Sequence, residues 1–156
     1  MILLNILWPT FALVLLIFVV WVTTAVRRLA YTRRVPPAAG TFASRDSAAA
    51  YFAPVDLPAD NLANLFEMPV LYFALVPLLL VTRSADVIEV ALAWLFVGAR
   101  VTHSYLHVVV RHVRTRFLAH VVGNAILSAM WLGFFVDMVA AASAYSHTLS
   151  NMAVQP

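Results

Sequence analysis

The sequence predicts an all-α membrane protein, a bundle of four transmembrane helices forming one domain over residues 1–156. Two observations predict it. Of 156 residues, 63% are apolar and only 11% charged, with a mean hydropathy of +0.91, which excludes an ordinary soluble domain. Four apolar stretches also approach the roughly 20 residues needed to cross a hydrocarbon core. The spans are expected over about 3–30, 61–81, 87–110 and 117–142, with one substantial loop over about 31–60. No room is left for a separate soluble domain.

The first span reads as a retained helix and not a signal peptide. Met1-Ile-Leu-Leu-Asn5 carries no basic side chain, the apolar run Leu3–Val26 is too long, and the positive cluster follows it. Val35-Pro-Pro-Ala-Ala-Gly40 cannot continue a helix. The Ser- and Ala-rich middle of that loop suits a short turn or interfacial helix, with Tyr51 and Phe52 at the interface. Pro58-Ala-Asp60 opens the second span, with Asp60 as its expected N-cap. Inside that span Pro69 frees the carbonyl of Leu65, so a kink is expected close to Glu67. Glu89 and Asp137 fall near the ends of the third and fourth spans and read as interfacial.

Charge sets the expected orientation. All ten basic residues are arginine. Eight flank the first and third connections: Arg27, Arg28, Arg33, Arg34, Arg45, Arg111, Arg114 and Arg116. The second connection has only Arg83, and Arg100 lies within a span. By the positive-inside rule the first and third connections face the cytoplasm, with both termini on the far side of an inner membrane. Anionic headgroups account for this charge, and no nucleic-acid partner is expected. The absence of cysteine excludes disulfides, thiolate metal sites and cysteine nucleophiles. Any sulfur chemistry must use a thiol brought from outside.

Two charged motifs lie where lipid tolerates few: Asn64-Leu-Phe-Glu67 and Arg100-Val-Thr-His103. A charge at the bilayer centre costs about 2.5–3.5 kcal/mol on insertion scales, so such residues are candidates for function. Arg100, His103 and His107 are spaced three and four apart and share one helix face. Arg116, His120, Asn124 and Ser128 are four apart on the fourth span; Thr23, Thr24, Arg27 and Arg28 end the first. At 1.5 Å per residue, Glu67 and His103 each lie about 10 Å in from the arginine-rich end, and Arg100 about 15 Å. These residues are expected at one level, around a polar cavity open to one side. An ion pair between Glu67 and Arg100 joining two spans is the bland alternative, and Asn64 has the same option through interhelical hydrogen bonding. Arg100 beside the histidines disfavours a cation, so no metal is expected.

The pattern resembles the family of membrane-associated proteins in eicosanoid and glutathione metabolism, MAPEG. N-x-x-E over Asn64–Glu67, R-x-x-H over Arg100–His103 and the later Arg116 carry the likeness in order, depth and spacing. The resemblance implies a homotrimer that binds glutathione between neighbouring subunits. It places Asn64, Glu67, Arg100, His103 and His107 around glutathione, with Arg27 or Arg28 as a carboxylate-binding arginine. Arg116 falls where glutathione-using members carry the arginine that stabilises the thiolate. The chain departs from the pattern in four places. Ala63 stands where an arginine precedes the asparagine. His107 and His120 stand at tyrosine positions, and Phe117 where a prostaglandin-forming member has serine.

The implied function is a glutathione- or thiol-dependent transferase or peroxidase acting on lipophilic electrophiles from the bilayer. The departures also fit a second reading, a non-catalytic protein that binds or presents a lipid or other lipophilic small molecule. An ion pathway fits poorly, because the far halves of the second and fourth spans are nearly apolar.

Overall fold

A computed structural model describes residues 2–153. Among them, four helical segments are long and apolar enough to cross a membrane: Leu3–Arg34, Leu57–Val81, Val87–Val110 and Val113–Thr148. They are built from α1 (Ile2–Asn5), α2 (Leu7–Arg34), α4 (Leu57–Phe66), α5 (Pro69–Val81), α6 (Val87–Tyr105) and α7 (Val113–Ala153); a short α3 (Arg45–Phe52) lies in the loop. A single π-helical turn, Leu106–Val110, completes the third span. The first and fourth helices run past the expected ends at 30 and 142. Lipid sets the minimum length of a span and leaves its extension into water open.

The second span breaks beside Glu67. Pro69 has no N–H to offer Leu65, so α4 stops at Phe66 and α5 restarts with Pro69 in its first turn. Glu67 is the C-cap of α4, with φ −80° and ψ −95°, and the break leaves its side chain exposed. The start of this span differs from expectation. Pro58 takes the first turn, the helix opens at Leu57, and the Asp60 N–H bonds the Asp56 carbonyl at 3.0 Å. Asp60 therefore lies inside the helix and is not its cap.

The loop folds back through charge and aromatic packing. Arg28 holds Asp56 in a two-pronged ion pair, Nε to Oδ1 at 2.7 Å and Nη2 to Oδ2 at 2.9 Å. Its guanidinium also lies 4.8 Å from the Phe52 ring centroid. Tyr51 packs edge-on against Tyr31 at 5.2 Å, and its hydroxyl donates to the Val35 carbonyl. Ser44 and Ser47 form a capping box that starts α3.

Lipid tails are as apolar as leucine, so spans gain little by hiding apolar surface from them; close packing and polar contacts must hold the bundle. The buried centre includes Leu13 of α2, Tyr72 and Leu75 of α5, Phe96 of α6, and Leu127 and Met130 of α7. Trp8, Phe18, Trp21, Leu95 and Phe135 point outward. Helices α6 and α7 pack most closely, and two glycines of α7 admit two charged side chains of α6. A Cβ on Gly123 would sit 3.0 Å from Arg100 Nη2, and one on Gly133 would sit 3.0 Å from Glu89 Oε1. Glu89 is thus buried against α7 with 5% exposure. Its depth, in the first turn of α6, is as expected; the face it takes, packed on α7, is not given by position along the helix. Asp137 is exposed.

Gly123→Ala should displace Arg100 and lower stability by about 1–3 kcal/mol, the usual cost of overpacking. Gly98→Ala, where a Cβ meets nothing within 4 Å, should be neutral or should stabilise by up to about 1 kcal/mol. Thermal melts of both variants in the same detergent check the contrast.

Candidate functional site

One cavity at the arginine-rich end gathers residues from three helices. It has a volume of about 290 Å³ and is lined by Asn64, Glu67, His103, Arg116, Phe117 and His120, among others. Asn64 is on the half-buried face of α4, and Glu67 is turned into the cavity at the break after it. His103 comes from the last turns of α6, while Arg116 and His120 lie one turn apart on α7.

Hydrogen bonding fixes how each histidine is used. His103 is 3% exposed, and its Nδ1 lies 3.1 Å from the Arg116 carbonyl oxygen. A carbonyl can only accept, so Nδ1 carries the proton and donates. In the neutral ring Nε2 is then a bare lone pair, buried and without a partner among the described residues. His120 uses its Nδ1 the opposite way. It lies 3.4 Å from Arg100 Nη1, which can only donate, so this nitrogen accepts. His107, in the π-turn, is also buried, and Asn64 Nδ2 lies 3.5 Å from its Nδ1, a long contact. The rings of His107 and His120 stand 5.7 Å and 5.3 Å from that of His103, which joins them.

Arg100 lies behind this wall, with no exposed surface. Its Nη2 donates to Asn124 Oδ1 at 2.5 Å and to the His120 carbonyl at 3.3 Å. Its guanidinium carbon lies 5.3 Å from the Phe96 ring centroid. No Glu67–Arg100 ion pair forms among the described residues, where the Arg28–Asp56 bridge is the one present. The alternative of an interhelical ion pair gives way because Asn124 and Gly123 offer the guanidinium an acceptor and a hollow on α7. Glu67 remains free to face the cavity.

The two arginines ending the first span do not line this cavity. Arg28 is engaged by Asp56, and Arg27 lines a separate groove beside α2. Helix α7 adds three residues outside the predicted set: Phe117, His120 and, behind them, Asn124. His120 and Asn124 are signalled in the sequence by the four-residue polar spacing from Arg116; Phe117, apolar and one residue on, lies off that spacing.

A model of the MAPEG family matches residues 6–136. The chain belongs to the MAPEG family. No curated protein and no solved structure matches it. It is therefore a multi-pass membrane protein of the group active in eicosanoid and glutathione metabolism. This MAPEG chain places its N-x-x-E pair, the histidine of its R-x-x-H pair and Arg116 on one cavity wall, with Arg100 one layer behind.

A hydrogen bond to a charged group contributes about 1.5–3 kcal/mol. Asn124→Ala should cost about that much in the parent protein and far less in an Arg100→Met background. A double-mutant cycle of thermal stabilities measures the difference; equal costs in both backgrounds would mean that the contact carries nothing.

Proposed function

We propose that this MAPEG protein is a transferase or peroxidase that activates glutathione, or a related low-molecular-weight thiol, against a lipophilic electrophile. The unpartnered Nε2 of His103, in a cavity that Arg116 also lines, carries the reading. A buried acceptor without a donor costs about 1–3 kcal/mol, and a thiol S–H placed there supplies the missing proton. Nε2 takes that proton, and the Arg116 guanidinium favours the sulfur anion, the nucleophilic form. In a transferase the sulfur bonds to the electrophilic carbon as the bond to the leaving group breaks, and the proton held on His103 goes to that group. In a peroxidase the sulfur bonds to a peroxide oxygen as O–O breaks, the same proton goes to the departing alkoxide, and a second thiol then displaces water to give the disulfide.

The rest of the donor set agrees with glutathione in part. Glu67 suits an ammonium group, and the Asn64 amide suits a peptide. Glutathione has two carboxylates, and Arg116 is the one arginine lining this cavity. A second cation must come from a neighbouring subunit, consistent with a homotrimer whose cavity sits at the subunit boundary. Phe117, 67% exposed, forms the side from which a lipophilic substrate enters from the bilayer. The arginine count supports a mouth at the cytoplasmic face.

An ultraviolet difference spectrum of the purified protein with glutathione should show thiolate, and Arg116→Ala should abolish it. The Arg116 contact to His103 is through the backbone, so that variant spares the histidine. His103→Gln should lower turnover by about 10²–10⁴-fold, the usual range for a lost general base. Absence of thiolate and of turnover with several thiols, with a lipid retained in native mass spectrometry that is lost in Phe117→Ala, would instead establish the non-catalytic lipid-binding reading.

A further inference from the structure

Ser104 breaks a habit of this bundle. Thr23, Thr24, Thr102 and Ser128 each return their hydroxyl to the carbonyl four residues earlier. Ser104 does not. It is 5% exposed, and its Oγ has no partner among the described residues. An unused hydroxyl in an apolar setting is costly, and this one lines a groove of about 310 Å³ between α2 and α6. Leu16, Val20, Val101 and Val108 contribute apolar walls, and Arg27 stands at the arginine-rich end. A second hollow of about 180 Å³ continues beyond it, lined by Arg27, Tyr31 and Arg34. Neither arginine has a carboxylate within ion-pair distance among the described residues.

The order of chemistry along this path is cationic, then one buried hydroxyl, then apolar. From Arg27 to Leu16 is eleven residues of helix, about 16 Å at 1.5 Å each. That is roughly half of a 30 Å hydrocarbon core, the depth of one leaflet. We infer that the α2–α6 groove binds one acyl chain of an anionic glycerophospholipid, its phosphate on Arg27 and Arg34 and an ester carbonyl accepting from Ser104 Oγ. A free phosphate has no use for the apolar walls. A second copy of the chain, presenting an apolar helix face, would leave Ser104 and both arginines unanswered.

The test uses the full chain, stripped of lipid. It is equilibrated with vesicles of equal phosphatidylglycerol and phosphatidylcholine of identical acyl chains, then gently extracted for native mass spectrometry. The expected result is one retained lipid per chain, enriched about tenfold in the anionic species. Arg27→Gln combined with Arg34→Gln should remove the enrichment, while Arg27→Lys keeps it. Val19→Trp, which fills the groove from an exposed lining position, should end retention of either lipid in a protein that still melts at the parent temperature. Millimolar inorganic phosphate should leave the retained lipid in place. Equal retention of both headgroups, or enrichment unchanged in the double glutamine variant, would overturn the assignment. So would cross-linking between copies through Val19→Cys, at an exposed lining position and clean in a chain without native cysteine, with no lipid retained.

Discussion

Between α6 and α7 a guanidinium with no exposed surface is held without a carboxylate partner, and the arrangement of the spans follows from how it is satisfied. Removing a charge from water costs several kcal/mol unless hydrogen bonds replace the lost hydration. Arg100 has Asn124 Oδ1, the His120 carbonyl, His120 Nδ1 and the face of Phe96. Phe96 in turn stacks on Tyr72 at 5.2 Å, and the Tyr72 hydroxyl meets Thr10 Oγ1 at 3.0 Å. That line of contacts touches all four spans. It ties them together in a medium where apolar burial alone distinguishes poorly between protein and lipid.

The same residue shapes the cavity it does not line. By donating to His120 Nδ1, Arg100 fixes which nitrogen of that ring is left for the cavity. Gly123 permits the close approach of α7 that sets Arg116 and His120 beside His103. Because Nη1 and Nη2 of Arg100 are engaged by α7, Glu67 is not drawn into an interhelical ion pair and stays turned into the cavity at the break made by Pro69. One buried charge, Arg100, thus lies behind, and four ionisable side chains, Glu67, His103, Arg116 and His120, line the cavity in front. Toward the other end, Glu89 in its Gly133 hollow repeats the packing device with the opposite sign.

Much of this was legible from spacing. Polar residues three and four apart must share a helix face, so the joint stripe of Arg100, His103 and His107 needed no coordinates. Pro69 announced the break, because the loss of its N–H is a covalent fact. What spacing does not contain is the rotation of each helix about its own axis. That rotation decides that Arg100 meets Asn124 and His120 instead of Glu67, and that Glu89 faces α7. The roles of Arg28 and Asp56 were equally hidden, since they lie 28 residues apart and meet only once the loop folds back. The Asp60 cap failed for a local reason: Pro58 is better suited to the first turn than to the residues before it.

A high-resolution density map of the protein with a bound thiol tripeptide tests the account most directly. The expected map has the sulfur between His103 Nε2 and Arg116, the ammonium at Glu67, and the Arg100 guanidinium still on Asn124 and Phe96, out of contact with the peptide. A guanidinium swung onto Glu67 or onto a peptide carboxylate would contradict it, because Arg100 would then belong to the ligand and not to the frame.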